Sequence, residues 1–181
     1  HHPGQLLVSI DSLNGSLSLN ADTINLQLNS TDFYVTEINE YFRIKQTAIA
    51  FVNNSLEIKN GQISNRGTTA ELDGRISLHK PYASQLRINV TDINPAERLP
   101  ALSQVFRQDD IFDLSGEIKT SDKTIKLDLG LSGTWHNQLL TNGRITGLID
   151  GKQVNLAEMT FTKGMEQVHG TVVGNLDSSL T

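Results

Sequence analysis

Apolar residues recur at every second position along most of the chain, in runs separated by turn-forming residues. Successive side chains of an extended strand face opposite ways, so this period marks strands with one dry face and one wet face. The run Thr124–Gly133 is the cleanest case: Ile125, Leu127, Leu129 and Leu131 fall on one side, and Lys126, Asp128, Gly130 and Ser132 on the other. Leu6, Val8 and Ile10 alternate in the same way and lead through Asn14-Gly15 to Leu17 and Leu19. Ile24, Leu26 and Leu28 follow, then Phe33 and Val35 after Ser30-Thr31-Asp32. Phe42–Val52 carries apolar residues in both phases, which predicts a strand buried on both faces or bulged. Leu56 and Ile58 run into Asn60-Gly61, whose tolerance of positive φ predicts a type I′ hairpin with Ile63 opening the return strand.

Further sets share a face: Leu72, Gly74, Ile76 and Leu78, then Leu86, Ile88 and Val90, then Leu114, Gly116 and Ile118. Ile145, Gly147 and Ile149 reach a turn at Asp150-Gly151, followed by Val154 and Leu156, and Val168, Gly170 and Val172 close the series. Met159 and Phe161 are out of phase with Leu156, which predicts a bulge near Ala157. About a dozen short-linked strands predict a mainly β, antiparallel meander. Crossover helices are missing, which excludes a doubly wound parallel sheet.

Asp92–Asp110 breaks the period. Asn94 suits an N-cap, Pro95 the first helical position and Glu97 a capping box. Leu99, Leu102, Val105 and Phe106 then recur at helical spacing, and Pro100 removes a backbone donor among them. The prediction is one short kinked helix over about 94–108, inserted in a single β-rich domain over 5–181. Residues 1–4 read as a tag or linker remnant, so a piece of a longer protein is expected.

Two arrangements would cover the dry faces. Alternation by itself favours two sheets closing as a β-sandwich. Inward positions that are almost all Leu, Ile and Val, with aromatics at 6% of the chain, favour one curved antiparallel sheet with an open, taco-like apolar groove. Composition narrows the chemistry. Charged residues at 19% leave neutral polar residues to cover the wet faces, as suits many exposed strands. A net charge of −5 without any Lys/Arg cluster speaks against a nucleic-acid partner. Zero cysteines exclude disulfides, zinc-thiolate sites and Cys catalysis.

Asp109 and Asp110 are adjacent, so their carboxylates splay apart and read as a solvated helix end. His79, His136 and His169 stand singly, without metal-ligand spacing, and read as surface or edge residues. Trp135 reads as a packing or rim residue. No G-x-S-x-G elbow, P-loop or G-x-G-x-x-G is present. No enzyme, cofactor or metal is expected, and the apolar face is left as the candidate site.

The stretches LDGRISL (72–78), QLRINVTDINPAERLPAL (85–102) and LSGEI (114–118) resemble the AsmA-like superfamily of bacterial envelope proteins, which includes TamB. In that family an L-x-G-x-l-x-L hairpin precedes an alternating strand, a short helical segment and an l-x-G-x-l strand. Pro100 departs from that pattern by interrupting the helical segment. Residues 142–176 are similar to the family's closing hairpins. The resemblance implies a periplasmic β-groove on an inner-membrane-anchored protein, linked to moving phospholipid between inner and outer membrane and to outer-membrane assembly. Its expected partners are phospholipid acyl chains and outer-membrane assembly proteins, with membrane contact through parts outside this chain. The expected groove residues are Leu17, Leu19, Ile24, Leu26, Leu28, Leu72, Ile76, Leu78, Leu86, Ile88, Val90, Ile125, Leu127, Leu129 and Leu131. Leu99, Leu102 and Phe106 would cap or gate it. Two other classes stay open: an assembly module that adds strands to β-rich clients, and a secreted carbohydrate-binding or adhesin sandwich. Scattered aromatics (Phe 6, Tyr 3, Trp 1) speak against the latter.

Overall fold

A computed structural model of the protein describes residues 8–20, 22–36, 39–80, 82–98 and 103–175. The expected remnant at 1–4, Leu6, and the expected helical residues Leu99, Pro100 and Leu102 lie outside the described residues. The chain forms β1 (Val8–Asn20), β2 (Thr23–Val35), β3 (Glu40–Val52), β4 (Ser55–Asn65), β5 (Thr68–Ser77) and β6 (Ser84–Ile93). One helical turn, α1 (Pro95–Arg98), follows. β7 (Ile111–Ser121), β8 (Thr124–Trp135), β9 (Gln138–Asp150), β10 (Gln153–Lys163) and β11 (Glu166–Asn175) complete it. They make a single open 11-stranded sheet in strict sequence order, each strand antiparallel to the next. The meander is as expected, and the closed sandwich is not what forms.

Tight turns join the strands where two consecutive residues take positive φ: Asn53 and Asn54 (47° and 55°), Arg66 and Gly67 (44° and 84°), His136 and Asn137 (51° and 63°). Such type I′ turns carry the twist that antiparallel neighbours need. Asn60-Gly61 is not one of them. β4 runs straight through it, with Asn60 at φ 52° and a register shift against β5 between Ile58 and Gly61. Asparagine accepts positive φ in a bulge as readily as in a turn. The displaced Asn60 amide donates to Asp73 Oδ1 at 2.8 Å, so the donor that the bulge turns out of the ladder is paired. Asn14-Gly15 is likewise an irregularity inside β1, and Ser30-Thr31-Asp32 lies inside β2.

The same device keeps the apolar residues on one face. In β3, Gln46 has φ 45°, and across it the phase reverses. Ile44 on one side pairs with Ile63, and Ile49 and Phe51 on the other pair with Ile58 and Leu56. The bulged reading of that strand is the one realised. In β6, Asp92 (φ 60°) donates its amide to Asp113 Oδ1 at 3.1 Å. In β10 the register slips between Leu156 and Met159, as expected near Ala157.

Buried apolar residues are few: Leu28 6% exposed, Val35 7%, Phe112 6%, Leu129 7% and Leu140 2%. Leu28 and Leu129 sit mid-strand on the apolar face, and among the described residues no second sheet lies above them. Only a sheet that curls over that face buries them so far, so the apolar face is concave. Curvature draws neighbouring backbones together at Gly116 (φ 153°), where an added Cβ would lie 2.2 Å from the Asp128 carbonyl oxygen. Glycine alone fits there.

Among the described residues of the expected helix over 94–108, α1 alone is helical. Its N-cap is as read, with the Glu97 amide donating to Asn94 Oδ1 at 3.0 Å. Residues 103–105, expected to continue the helix, form a turn instead.

Candidate functional site

The two faces of the sheet differ in kind. On the convex face, Arg43 grips Asp32 through two bonds of 2.6 and 3.1 Å, and Arg144 grips Asp128 at 3.1 and 3.3 Å. Lys119 meets Glu117 at 2.6 Å, and Gln85 donates to the same carboxylate. The Arg43 hydrogen bond holds the Asp32 carboxyl below its ordinary range, and Lys119 does the same for Glu117. Recesses on this face are lined by residues of both signs, such as Glu57, Lys59, Asp73 and Arg75. The Asp32, Glu117 and Asp128 carboxylates are already engaged by neighbouring cations and offer little to a ligand. Among the described residues no cluster of His, Asp and Glu could hold a metal ion, and no helix is long and apolar enough to cross a membrane.

The concave face is a continuous apolar trough. One row takes a residue from each of the 11 strands: Leu17, Leu26, Ile49, Ile58, Gly74, Leu86, Ile118, Leu127, Gly147, Leu156 and Val172 are successive cross-strand partners. At about 4.8 Å per strand it spans roughly 50 Å. Beside it run Leu72, Ile88, Gly116, Leu129, Ile145 and Met159, again partner to partner. Not one of these side chains is charged.

The expected groove residues fall on these rows or the flanking ones. Leu19 pairs with Ile24, Ile76 with Leu56, Val90 with Leu114 and Ile125 with Ile149. Leu131 pairs with Leu114. Leu78 is the exception. The chain leaves β5 at Ser77, and the Leu78 amide donates to the Asn54 carbonyl at 2.8 Å, leaving the side chain 45% exposed in the β5–β6 connection. On edge strand β1, Leu17 and Leu19 are 63% and 69% exposed. The expected groove residues did not include Ile49, Ile58, Ile118, Ile145, Leu156, Met159 and Val172, which also line the wall. Their alternation was visible; the bulge at Asn60 that aligns Ile58 was not.

The lower lip of the trough, at the ends of β6–β10, is built differently. Phe106 packs edge-on against Phe112 at 5.6 Å and tilted on Trp135 at 6.2 Å. Trp135 meets Phe161 at 5.9 Å, and Lys163 Nζ sits 4.3 Å from the Trp135 ring centre. Of the expected gate residues, Phe106 therefore reaches the sheet. Leu140, which no alternating set contained, is the most buried apolar residue among the described residues.

Asp110 corrects the expected solvated pair: Asp109 is exposed, whereas Asp110 is fully buried. Its oxygens accept the Arg107 amide at 2.7 Å and the His136 amide at 2.6 Å. The carboxylate thus staples the inserted segment to the β8–β9 turn. His136 is correspondingly held, with Nε2 3.0 Å from the Val105 carbonyl oxygen. No protein-family model, curated protein or solved structure matches the chain, so the reading of this trough rests on its own geometry.

Proposed function

We propose that this protein binds phospholipid acyl chains in its concave trough and conducts lipid between the inner and outer membranes of a Gram-negative envelope. The observation that carries this is the uncharged row from Leu17 to Val172, unbroken across 11 strands and open along its length. Fourteen methylenes sheltered there, at about 0.8 kcal/mol each, would stabilise a bound chain by roughly 11 kcal/mol before ordering costs. Aliphatic walls without fixed charges offer no register, so a chain can slide from one strand to the next. That property suits a conduit. The resemblance of the stretches 72–78, 85–102, 114–118 and 142–176 to AsmA-like envelope proteins supports a periplasmic setting, and the proposed role involves no catalysis and no cofactor.

A photoreactive residue at Leu127 or Ile88, followed by native mass spectrometry, tests the reading. Phospholipid adducts are expected; a stable, lipid-free protein without adducts would sink it.

A second reading, strand addition to β-rich clients, is favoured by the edges. Among the described residues β1 and β11 each have one strand neighbour. β1 exposes Ile10, Leu13, Leu17 and Leu19 by 60–69% and carries no Lys, Arg or Pro to block pairing. Slowed amide exchange along β1 on adding an unfolded β-barrel client would support it, and unchanged exchange would count against it.

A further inference from the structure

The rows of the trough are uncharged, and charge enters only at the lower lip: Glu40, register partner of Val35, is ion-paired to Arg66 under β2–β4, and Lys163 stands at the end of β10. Lys163 ends β10 and pairs with Leu140; Leu140 pairs with Gly133, and Gly133 with Phe112. This chain of partners places Lys163 on the concave face, and its ammonium lies over the Trp135 ring. Its neighbour across the β10–β11 turn is Glu166, yet Lys163 makes no ion pair among the described residues. Asp110, the buried acid of the same corner, already has both oxygens engaged by amides. The indole holds the ammonium in place through its face and leaves the N–H donors free.

We propose that Lys163, positioned by Trp135, is a binding site for the phosphate of a lipid headgroup whose acyl chains lie in the trough. The inference rests on the lipid-conducting reading. A compact ammonium is a point-charge partner for phosphate, and at a half-buried lip the attraction is screened less than in open water. An acyl chain on the rows behind Phe161 and Met159 would bring its headgroup to the end of the strands, where Lys163 stands. The headgroup contact would then slow lipid at this rung while the rest of the wall lets it pass.

Trp135 is the chain's sole tryptophan, so its fluorescence reads this corner directly. Phosphatidylglycerol and diacylglycerol with identical brominated acyl chains, and inorganic phosphate alone, are titrated against wild type, Lys163→Gln and Lys163→Arg. Wild type is expected to bind phosphatidylglycerol about tenfold more tightly than diacylglycerol, a difference of about 1.4 kcal/mol. Lys163→Gln should erase that preference with diacylglycerol binding intact, and Lys163→Arg should keep most of it. Equal binding of the two lipids by wild type, or an unchanged ratio in Lys163→Gln, overturns the headgroup site and leaves the trough standing. Inorganic phosphate shifting Trp135 emission at concentrations like those of the lipid would reveal a free-phosphate site and overturn it too. Failure of both lipids to quench Trp135 overturns the lipid reading itself, and this site with it.

Discussion

The middle of the trough and its lower lip are cut from the same sheet but held by different forces. In the middle, Leu86, Ile118 and Leu127 meet their neighbours through non-directional apolar contact, and their exchange for one another costs little. At the lip, Asp110, Arg107 and His136 are joined by directional bonds that admit one arrangement. The difference separates two tasks: a permissive surface along which a greasy chain moves, and a fixed corner that sets where the surface ends.

The largest effect expected is on stability at the corner. Asp110→Ala leaves the part-buried amides of Arg107 and His136 without their acceptor and should cost about 2–3 kcal/mol in urea unfolding. A loss no greater than that of a half-buried wall residue such as Leu72→Ala would erase the distinction between corner and wall. Next in size is an effect on binding. Leu127→Asp places a charge mid-trough and should lower phospholipid retention at least tenfold, roughly 1.4 kcal/mol or more, whereas Leu127→Met should stay within about twofold. Equal retention by all three proteins would show that the wall is not the binding surface.

Thr31 offers a smaller change of opposite sign. Its Oγ1 is buried without a hydrogen-bond partner and the residue is 4% exposed, so Thr31→Val should stabilise the protein by about 1 kcal/mol in the same unfolding assay. The smallest effect belongs to the convex face. Arg43 lowers the Asp32 carboxyl below its unfolded value, so the pair's contribution is complete above that unfolded value and fades as pH falls through the folded one. Melting temperatures of wild type and Asp32→Asn should therefore converge on acidification from neutrality, and the gap should be slight because the pair is solvated and salt-screened.

Much of this comparison was legible in the sequence, but unevenly. Strict alternation in residues such as Ile125–Leu131 shows which side chains share a face, because the strand period depends on nothing beyond the backbone. Asn60-Gly61 misleads, because positive φ is a local property that turns and bulges share. What decides between them is whether the Asn60 amide finds Asp73, 13 residues on, and that is a tertiary fact. Asp110 misleads for the same reason: beside Asp109 it looks solvated, and one of the two amides that it serves belongs to His136, 26 residues away. Lys163 belongs to no sequence motif, and only register places it over Trp135. Which face is concave is set by the summed bulges and close glycine contacts, and no single run reports it.

The strict sequential order of the strands bears on how the protein is made. Each strand needs only its predecessor, so the sheet can grow by successive hairpins, with short loops to close and no wait for distant segments. The longest connection, from Ile93 to Ile111, divides this growth into a β1–β6 half and a β7–β11 half. The bonds from Asp110 to Arg107 and to His136 fall on the second side of that divide. That half is expected to lock last, as the β8–β9 turn arrives, making Asp110 the catch that completes assembly.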